Sequence, residues 1–447
     1  MANALTQYLE LFESQRATID AHAPAALNAH RQAAFDALKG LWRLPDKGDE
    51  GFEKISLNDM FAPDYGLNIA RVAFPTDPAK AYACDVPNVS RMSAVVVNDA
   101  FTAVPGLERN LPEGVEMMSL AKAAEAYPEL FKDQIAPISN PVVALNSLFV
   151  QDGVFIRIAK GVSLDKPLQV LSIFNTSQPL MATRRIVIHV EEGSKGAVLL
   201  CDHPRVATVD YLNCRVLEAS VGRNASLEIY DLEEATPRTR RASVFASAQH
   251  EGSHLGMTSI YLNGGMTRNE YLPTHLGENC HTVLNGMVIG GGSQIIDNSV
   301  SLIHTHSHCT SNQLFKYALF DSAQGAFEGM VRVAPGAEFS DAHQTNRNLL
   351  ASSQARMHTM PQLIINCDEV KESHGAATGQ LDENALFYMR SRGIPEAEAR
   401  MMLIKAFMTD VLEAVEPEAL RERLRLLVDK RLRGCESTCE SCGALNA

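Results

Sequence analysis

Imidazole, thiol and carboxylate groups hold metals and move protons at neutral pH. Four stretches of this 447-residue chain concentrate them. In the first, the apolar run Leu363-Ile364-Ile365 leads into Asn366-Cys367-Asp368-Glu369-Val370-Lys371-Glu372-Ser373-His374-Gly375. Drawn out as a strand, this segment places Val370, Glu372 and His374 on one face. Imidazole and carboxylate both ligate iron, and a thiolate is a softer ligand. A solvated strand end has the same composition. The second stretch is His304-Thr305-His306-Ser307-His308-Cys309. As a strand it projects the three histidines to one side and Cys309 to the other. A metal there needs a further ligand and supporting hydrogen bonds, and outward polar alternation on a sheet gives the same pattern. The third is Cys280-His281, whose side chains point to opposite faces of a strand, so no joint site is expected; Cys201 and Cys214 read as small core fillers. The fourth is the tail, where Cys435, Cys439 and Cys442 form a C-x3-C-x2-C cluster. Such a cluster can wrap a metal ion or an iron–sulfur cluster, and an unordered end is the bland alternative.

Motifs that carry chemistry unaided are missing. There is no Gly-x-x-x-x-Gly-Lys-Ser/Thr loop to cradle phosphates, no dinucleotide fingerprint, no His-Glu-x-x-His and no Gly-x-Ser-x-Gly elbow. The run Gly290-Gly291-Gly292 is followed by neither a lysine nor a helix start.

The elements that position these residues fall into three textures. The first 45 residues carry loosely helical spacing, broken at Leu44-Pro45-Asp46-Lys47-Gly48-Asp49. Ala94–Asn98 reads as a short strand ending in a turn, and residues 117–133 as helix. From Ala144 short β-rich runs take over, each closed by a glycine turn. Gly161, Gly193, Gly222, Gly252 and Gly277 are separated by 32, 29, 30 and 25 residues, and Gly336 lies 59 beyond Gly277. A strand–turn–strand unit recurring about every 30 residues without helical content predicts stacked β coils, a β-helix. A β-propeller is the runner-up. Helical spacing returns after Asp382, where Met401, Ile404, Met408, Val411 and Val415 form one stripe. A second helix begins after Pro417 and is basic. This pair is expected either to cap the β stack or to dock a partner. The expected division is residues 1–140, mainly helical; 141–380, the β-helix core; 381–433, a helical docking module; and 434–447, a Cys-rich tail.

Hydrophobic residues make up 46% and charged residues 21%, with a net charge of −13, which excludes wholesale disorder. The acidic balance argues against nucleic-acid binding. The basic run Arg238, Arg240, Arg241 is expected to be a solvated turn. No segment is long and apolar enough to cross a membrane, and the first residues lack a secretory pattern. Nine cysteines without a signal fit a reducing cytoplasm.

Between Phe327 and Ile394 the chain resembles a known family. Phe327-Glu328-Gly329, Asp341-Ala342-His343-Gln344-Thr345-Asn346-Arg347, Pro361-Gln362-Leu363, Ser373-His374-Gly375-Ala376-Ala377-Thr378-Gly379 and Phe387-Tyr388-Met389-Arg390-Ser391-Arg392-Gly393-Ile394 are similar to the SufB/SufD family of iron–sulfur cluster assembly proteins. The Ser-His-Gly-Ala pattern resembles the SufD branch. Ala144-Leu145-Asn146 resembles the start of that family's β core. The resemblance implies a right-handed parallel β-helix between N- and C-terminal helical regions. It implies a non-catalytic scaffold subunit that pairs with a SufB-like chain and docks SufC, an ABC-type ATPase that hydrolyses the ATP. It further implies a transient iron–sulfur cluster at the SufB interface, with no tightly bound cofactor, and self-pairing when the chain is isolated. His374 is implied to serve cluster assembly at that interface, with Glu372 replacing a cysteine common in the family. Arg390, Arg392, Met401, Ile404 and Met408 fall in the docking module. Phe52-Glu53-Lys54-Ile55-Ser56 matches the family only loosely, and the triple-cysteine tail lies outside its pattern. A metal or cluster carrier acting through Cys435, Cys439 and Cys442 is a second reading. A carbohydrate-active β-helix enzyme is a third, weakened by the missing secretory signal.

Overall fold

A computed structural model describes residues 3–72, 92–104 and 106–434. Two sheets face each other. From Val154 onward successive strands go to alternate sheets, one of ten strands and one of nine. Ser226, His254, His281, Thr310, Asp341 and Lys371 follow one another in parallel register, in steps of 27 to 31 residues. This is the repeat expected from the glycine spacing. Parallel pairing excludes the propeller, whose blades are antiparallel meanders. The result is a parallel β-solenoid of about eight coils with helices at both ends of the chain.

One corner shows how the coils stack. Gly193, Asn224, Gly252, Asn279, His308 and Phe339 all adopt positive φ, and each donates its N–H to a carbonyl of the next coil. Below them Ser194, Ala225, Ser253, Cys280, Cys309 and Ser340 form a buried column of small residues. The corner therefore selects handedness above and small size below. Asparagine and glycine meet the first demand readily, whereas His308 and Phe339 meet it at a steric cost. Gly222 and Gly277 serve differently: a Cβ there would lie 2.8 Å and 2.4 Å from the backbone of the previous coil.

The interior is divided along each strand. One half is a continuous apolar column that includes Ile186, Leu217, Leu227, Phe245, Leu255, Leu284 and Val300. In the other half Arg184, Arg215 and Arg241 face Asp202 and Asp231. Arg215 Nη1 donates to Asp231 Oδ1 at 2.8 Å, Arg184 Nη1 to Asp202 Oδ1 at 3.1 Å and Arg241 Nη1 to Asp202 Oδ2 at 3.2 Å. Arg241 also donates to Asp231. Arg241 is 1% exposed, which corrects the expectation of a solvated basic turn. Arg238 does lie at the surface, paired with Asp210, but Arg241, in register with Asn213, turns inward.

Each outer face is covered by one terminal region. The helices Ala4–Ala21 and Arg31–Lys39 pack on the helix Pro141–Phe149, which lies on the nine-stranded sheet, so that Phe12, Phe35 and Leu38 share one buried cluster with Leu212, Val216 and Val244. The segment Pro141–Phe149, placed by sequence at the start of the β region, is a helix buried on every side; apart from Asn146 and Ser147 its residues are apolar, as such a position requires. Asn146 ties it down by donating to the carbonyls of Arg184 and Cys214. The strands Ser93–Val97 and Val115–Ser119 extend the two sheets upstream of residue 141.

The helices Glu383–Ser391, Glu396–Glu413 and Glu418–Leu432 lie along the ten-stranded sheet. Ile404, Met408, Val411, Val415, Leu420 and Leu424 cover Leu199, Leu232, Ile260, Met287 and Ile289. They do not cap the stack, because an apolar wall of that extent demands burial before a sheet end does. The last strands, Arg356–Ile365 and Lys371–Gly379, are the free edges of the two sheets.

Candidate functional site: the open last coil

Parity fixes which way each residue of the last coil points. Ala342, Gln344, Asn346 and Asn348 are buried, and they stand in register with Glu372, His374, Ala376 and Thr378. Glu372 and His374 therefore occupy the interior-facing side of the solenoid. They meet solvent because no further coil covers them. The shared face expected from sequence is present, and it is an inner face laid open.

Beneath His374 lies an amide ladder. Gln313, Gln344 and His374 are in register on successive coils, and Gln344 Nε2 donates to Gln313 Oε1 at 2.9 Å. Gln344 Oε1 is buried and accepts no hydrogen bond from a described residue, so an acceptor waits in the column that ends in an imidazole. Such an acceptor fixes which ring nitrogen carries the proton and leaves the other for a ligand. Gly329 makes room for the ladder: a Cβ there would lie 2.1 Å from Gln344 Nε2. The glycine of Phe327-Glu328-Gly329 thus serves the column below His374.

Glu372 is half-buried, and neither of its oxygens accepts a hydrogen bond from a described residue. Burial, reinforced by the Asp341 carboxylate on the coil below, pushes its carboxyl up to about 7. An unsatisfied carboxylate of this kind binds a cation or a proton readily. Cys367 sits in the turn before the strand. Burial and the carboxylates of Glu338, Asp368 and Glu372 raise its thiol, so it is not activated as a thiolate. On the outer side, His343 Nδ1 lies 2.6 Å from Ser373 Oγ, and His343 Nε2 lies 2.8 Å from Asp341 Oδ1.

The other sequence candidates separate clearly. Residues His304 to Cys309 form a turn, so the three imidazoles do not share a face. His304 ends a strand, is buried 2.9 Å from Ser311 Oγ and meets the His275 ring edge-on, whereas His308 stacks on Phe339 at the corner. Cys280 is buried and His281 stacks on His254, as adjacent opposite-facing residues should. Cys201 and Cys214 are core residues, and burial lifts Cys214 to about 12. Cys435, Cys439 and Cys442 lie outside the described residues.

In the C-terminal helices, Arg390 and Arg392 are exposed and Met401 is half-buried, while Ile404 and Met408 are buried and hold the helices to the sheet. Periodicity alone did not reveal Phe387 and Tyr388, which are 72% and 59% exposed beside those arginines. The Arg392 guanidinium stacks over Tyr388 at 5.2 Å. The basic character of the last helix is largely consumed within the fold, with Arg425 and Arg421 on Glu413 and Arg431 Nη2 2.6 Å from Gln294 Oε1.

A two-sheet parallel solenoid whose last coil is unpaired defines a class: a β-solenoid with an open end that exposes a carboxylate and an imidazole on its inner face. Two family profiles tile the chain, the SufBD protein N-terminal region over residues 2–170 and the SUF system FeS cluster assembly, SufBD core domain over residues 173–407. The chain belongs to the SufBD family of iron–sulfur cluster assembly proteins. It is 29% identical over 450 aligned positions to an iron-sulfur cluster assembly SufBD family protein of Synechocystis, covering 96% of this chain and 98% of that one. It is 35% identical over 176 residues to the iron-sulfur cluster assembly protein SufD of Escherichia coli, covering 39% and 42% of the two chains. With SufD of Bacillus subtilis it shares 24% identity over 80% of its own length and 83% of that protein's.

Proposed function

We propose that this chain is a scaffold subunit of a SUF assembly complex, in which a SufB-like chain pairs with the open last coil and a nascent iron–sulfur cluster is built between them. The observation that carries this reading is the inner face exposed at Glu372 and His374. A nine-residue edge strand with free N–H and C=O groups is an aggregation hazard unless something adds to it, and strand addition from another chain supplies that cover. His374 offers a neutral nitrogen, and Glu372 offers a harder oxygen ligand. Neither closes a site alone; among the described residues they join no group of three close ligand atoms. A cluster held partly by each chain is easily released, as a scaffold's cargo must be. The exposed Phe387, Tyr388, Arg390 and Arg392 form the docking surface for an ABC-type ATPase of the SufC kind, which hydrolyses the ATP for which this chain has no phosphate loop. The complex works in the cytoplasm, binds no nucleic acid and keeps no resident cofactor.

The test is His374→Ala in the co-expressed complex. Expected are an intact complex, an unchanged melting temperature and loss of cluster build-up, with a milder loss for Glu372→Ala. Dissociation of the complex by His374→Ala in parallel with the lost activity would make the residue structural and sink the ligand assignment.

A further inference from the structure

A second constellation lies far along the outer face of the nine-stranded sheet, where the N-terminal region crosses it. The loop around Gly48–Ile55 is shaped by positive φ at Gly48 and Gly51. It is held at one end by buried Ile55 and in the middle by the Phe52 ring, which sits 4.6 Å from the Arg268 guanidinium. This brings Glu53 against two side chains of successive coils, Glu328 on the strand Gln324–Val333 and His358 on the strand Arg356–Ile365. One ligand atom from each of the three falls within 4.8 Å of the other two.

Two further observations point to a missing cation. Glu53 Oε2 and His358 Nε2 are shielded from water and meet no hydrogen-bond donor among the described residues. Glu53 faces the Glu328 carboxylate and the His358 imidazole, and its Oε1 accepts from the Gly51 N–H at 3.3 Å; burial together with the facing carboxylate pushes Glu328 up to about 8. The neighbouring positive charge is already committed. Arg268 Nη1 donates to Asp297 Oδ1 at 2.7 Å, and its Nε lies 3.4 Å from Glu270 Oε1. Three carboxylates, Glu270, Asp297 and Glu328, thus bear on one guanidinium, and Glu53 adds a fourth negative group beside Glu328. A fold that merely fastened this loop down would place a lysine or an amide between Glu53 and Glu328. Here an imidazole and two carboxylates converge from three separate segments.

We propose that Glu53, Glu328 and His358 bind one divalent first-row transition-metal ion of the iron(II), manganese(II) or zinc(II) class, which pins the N-terminal loop to the solenoid wall. One nitrogen and two carboxylate donors suit those ions, whereas the site offers no thiolate for softer ones and too few oxygens for calcium. The site uses the last coil's other strand, Arg356–Ile365, rather than the strand of Glu372 and His374, and does not depend on the function proposed for those residues.

The test uses the full-length protein with Cys435, Cys439 and Cys442 replaced by serine, so that tail thiols do not compete. Anaerobic equilibrium dialysis against zinc(II), manganese(II) and iron(II) should show one tightly held equivalent. Glu328→Gln, which keeps size and shape, and His358→Gln, which removes the imidazole donor, should each weaken it at least tenfold, and His374→Ala should leave it unchanged. The metal should raise the melting temperature of the parent but of neither glutamine variant, and should slow tryptic cleavage after Lys47 and Lys54. Metal-free melting temperatures matching the parent show that the variants fold. No bound equivalent in the parent, an equivalent that survives Glu328→Gln and His358→Gln, or one lost in His374→Ala would each overturn the proposal.

Discussion

The coil at Arg215 and the coil at His374 are built to the same register, yet their interiors are opposites. Around Arg215 the polar half of the core is closed. Burial works against the charge of Asp231, but Arg215 and Arg241 hold its carboxyl far below the usual range. Around His374 a different column, rising from Leu284 through Gln313 and Gln344, ends in an unpartnered amide oxygen, an unsatisfied carboxylate and an exposed imidazole. The backbone ladder is continuous through both. What differs is whether a next coil exists to satisfy the side chains. Polar groups inside a solenoid are structural where they are covered and reactive where the stack stops.

The contrast is broken most severely at its closed side. Asp231→Asn leaves Arg215 and Arg241 buried without their shared carboxylate, and a loss of about 3–5 kcal/mol is expected from urea unfolding. The same exchange at Glu372 should not lower stability. At the docking helices, Phe387→Ala and Tyr388→Ala should each weaken capture of the ATPase by about 2 kcal/mol in a titration while leaving the melting temperature alone, because both rings already face solvent. A loss of stability instead would mean that they pack within the fold.

The third test reads the open coil through pH. Because burial raises Glu372, the folded protein keeps a proton that the unfolded chain releases. Its contribution is present below the ordinary glutamate range and is lost as pH climbs toward about 7, the reverse of a salt-bridged carboxylate. Glu372→Gln should flatten that part of the stability profile; an unchanged slope would show that Glu372 is free in solution. The smallest effect is expected from Cys435→Ser, Cys439→Ser and Cys442→Ser together: no change in melting temperature or in recovery of the complex by co-purification.

Much of this organisation was readable from sequence because it is periodic. The spacing of Gly161, Gly193, Gly222 and Gly252 reports the coil length directly, and the parity of Glu372 and His374 survives in any strand. The failures have physical causes. Arg241 sits in a run of arginines that looks solvated, and only its register with Asn213 turns it inward to Asp202 and Asp231. His304, His306 and His308 alternate as in a strand, but the corner falls among them. Pro141–Phe149 has only the adjacent Asn146 and Ser147 as polar residues, too few to mark a solvent face. Glu53, Glu328 and His358 are far apart in sequence, and nothing local announces that they meet. The wall of Leu199, Leu232 and Ile260, which keeps the C-terminal helices off the open end, is likewise invisible until the strands are stacked.

The regular register has a consequence for distance. Neighbouring strands in a sheet are ~4.8 Å apart, so the stack works as a ruler graduated in coils. The gap between the N-terminal helices and His374 is set by a count of repeats and cannot be adjusted smoothly. Inserting one 30-residue coil would carry the imidazole one graduation further while leaving every local environment as it was. A partner that grips both the side wall and the last strand would then find the two holds out of step.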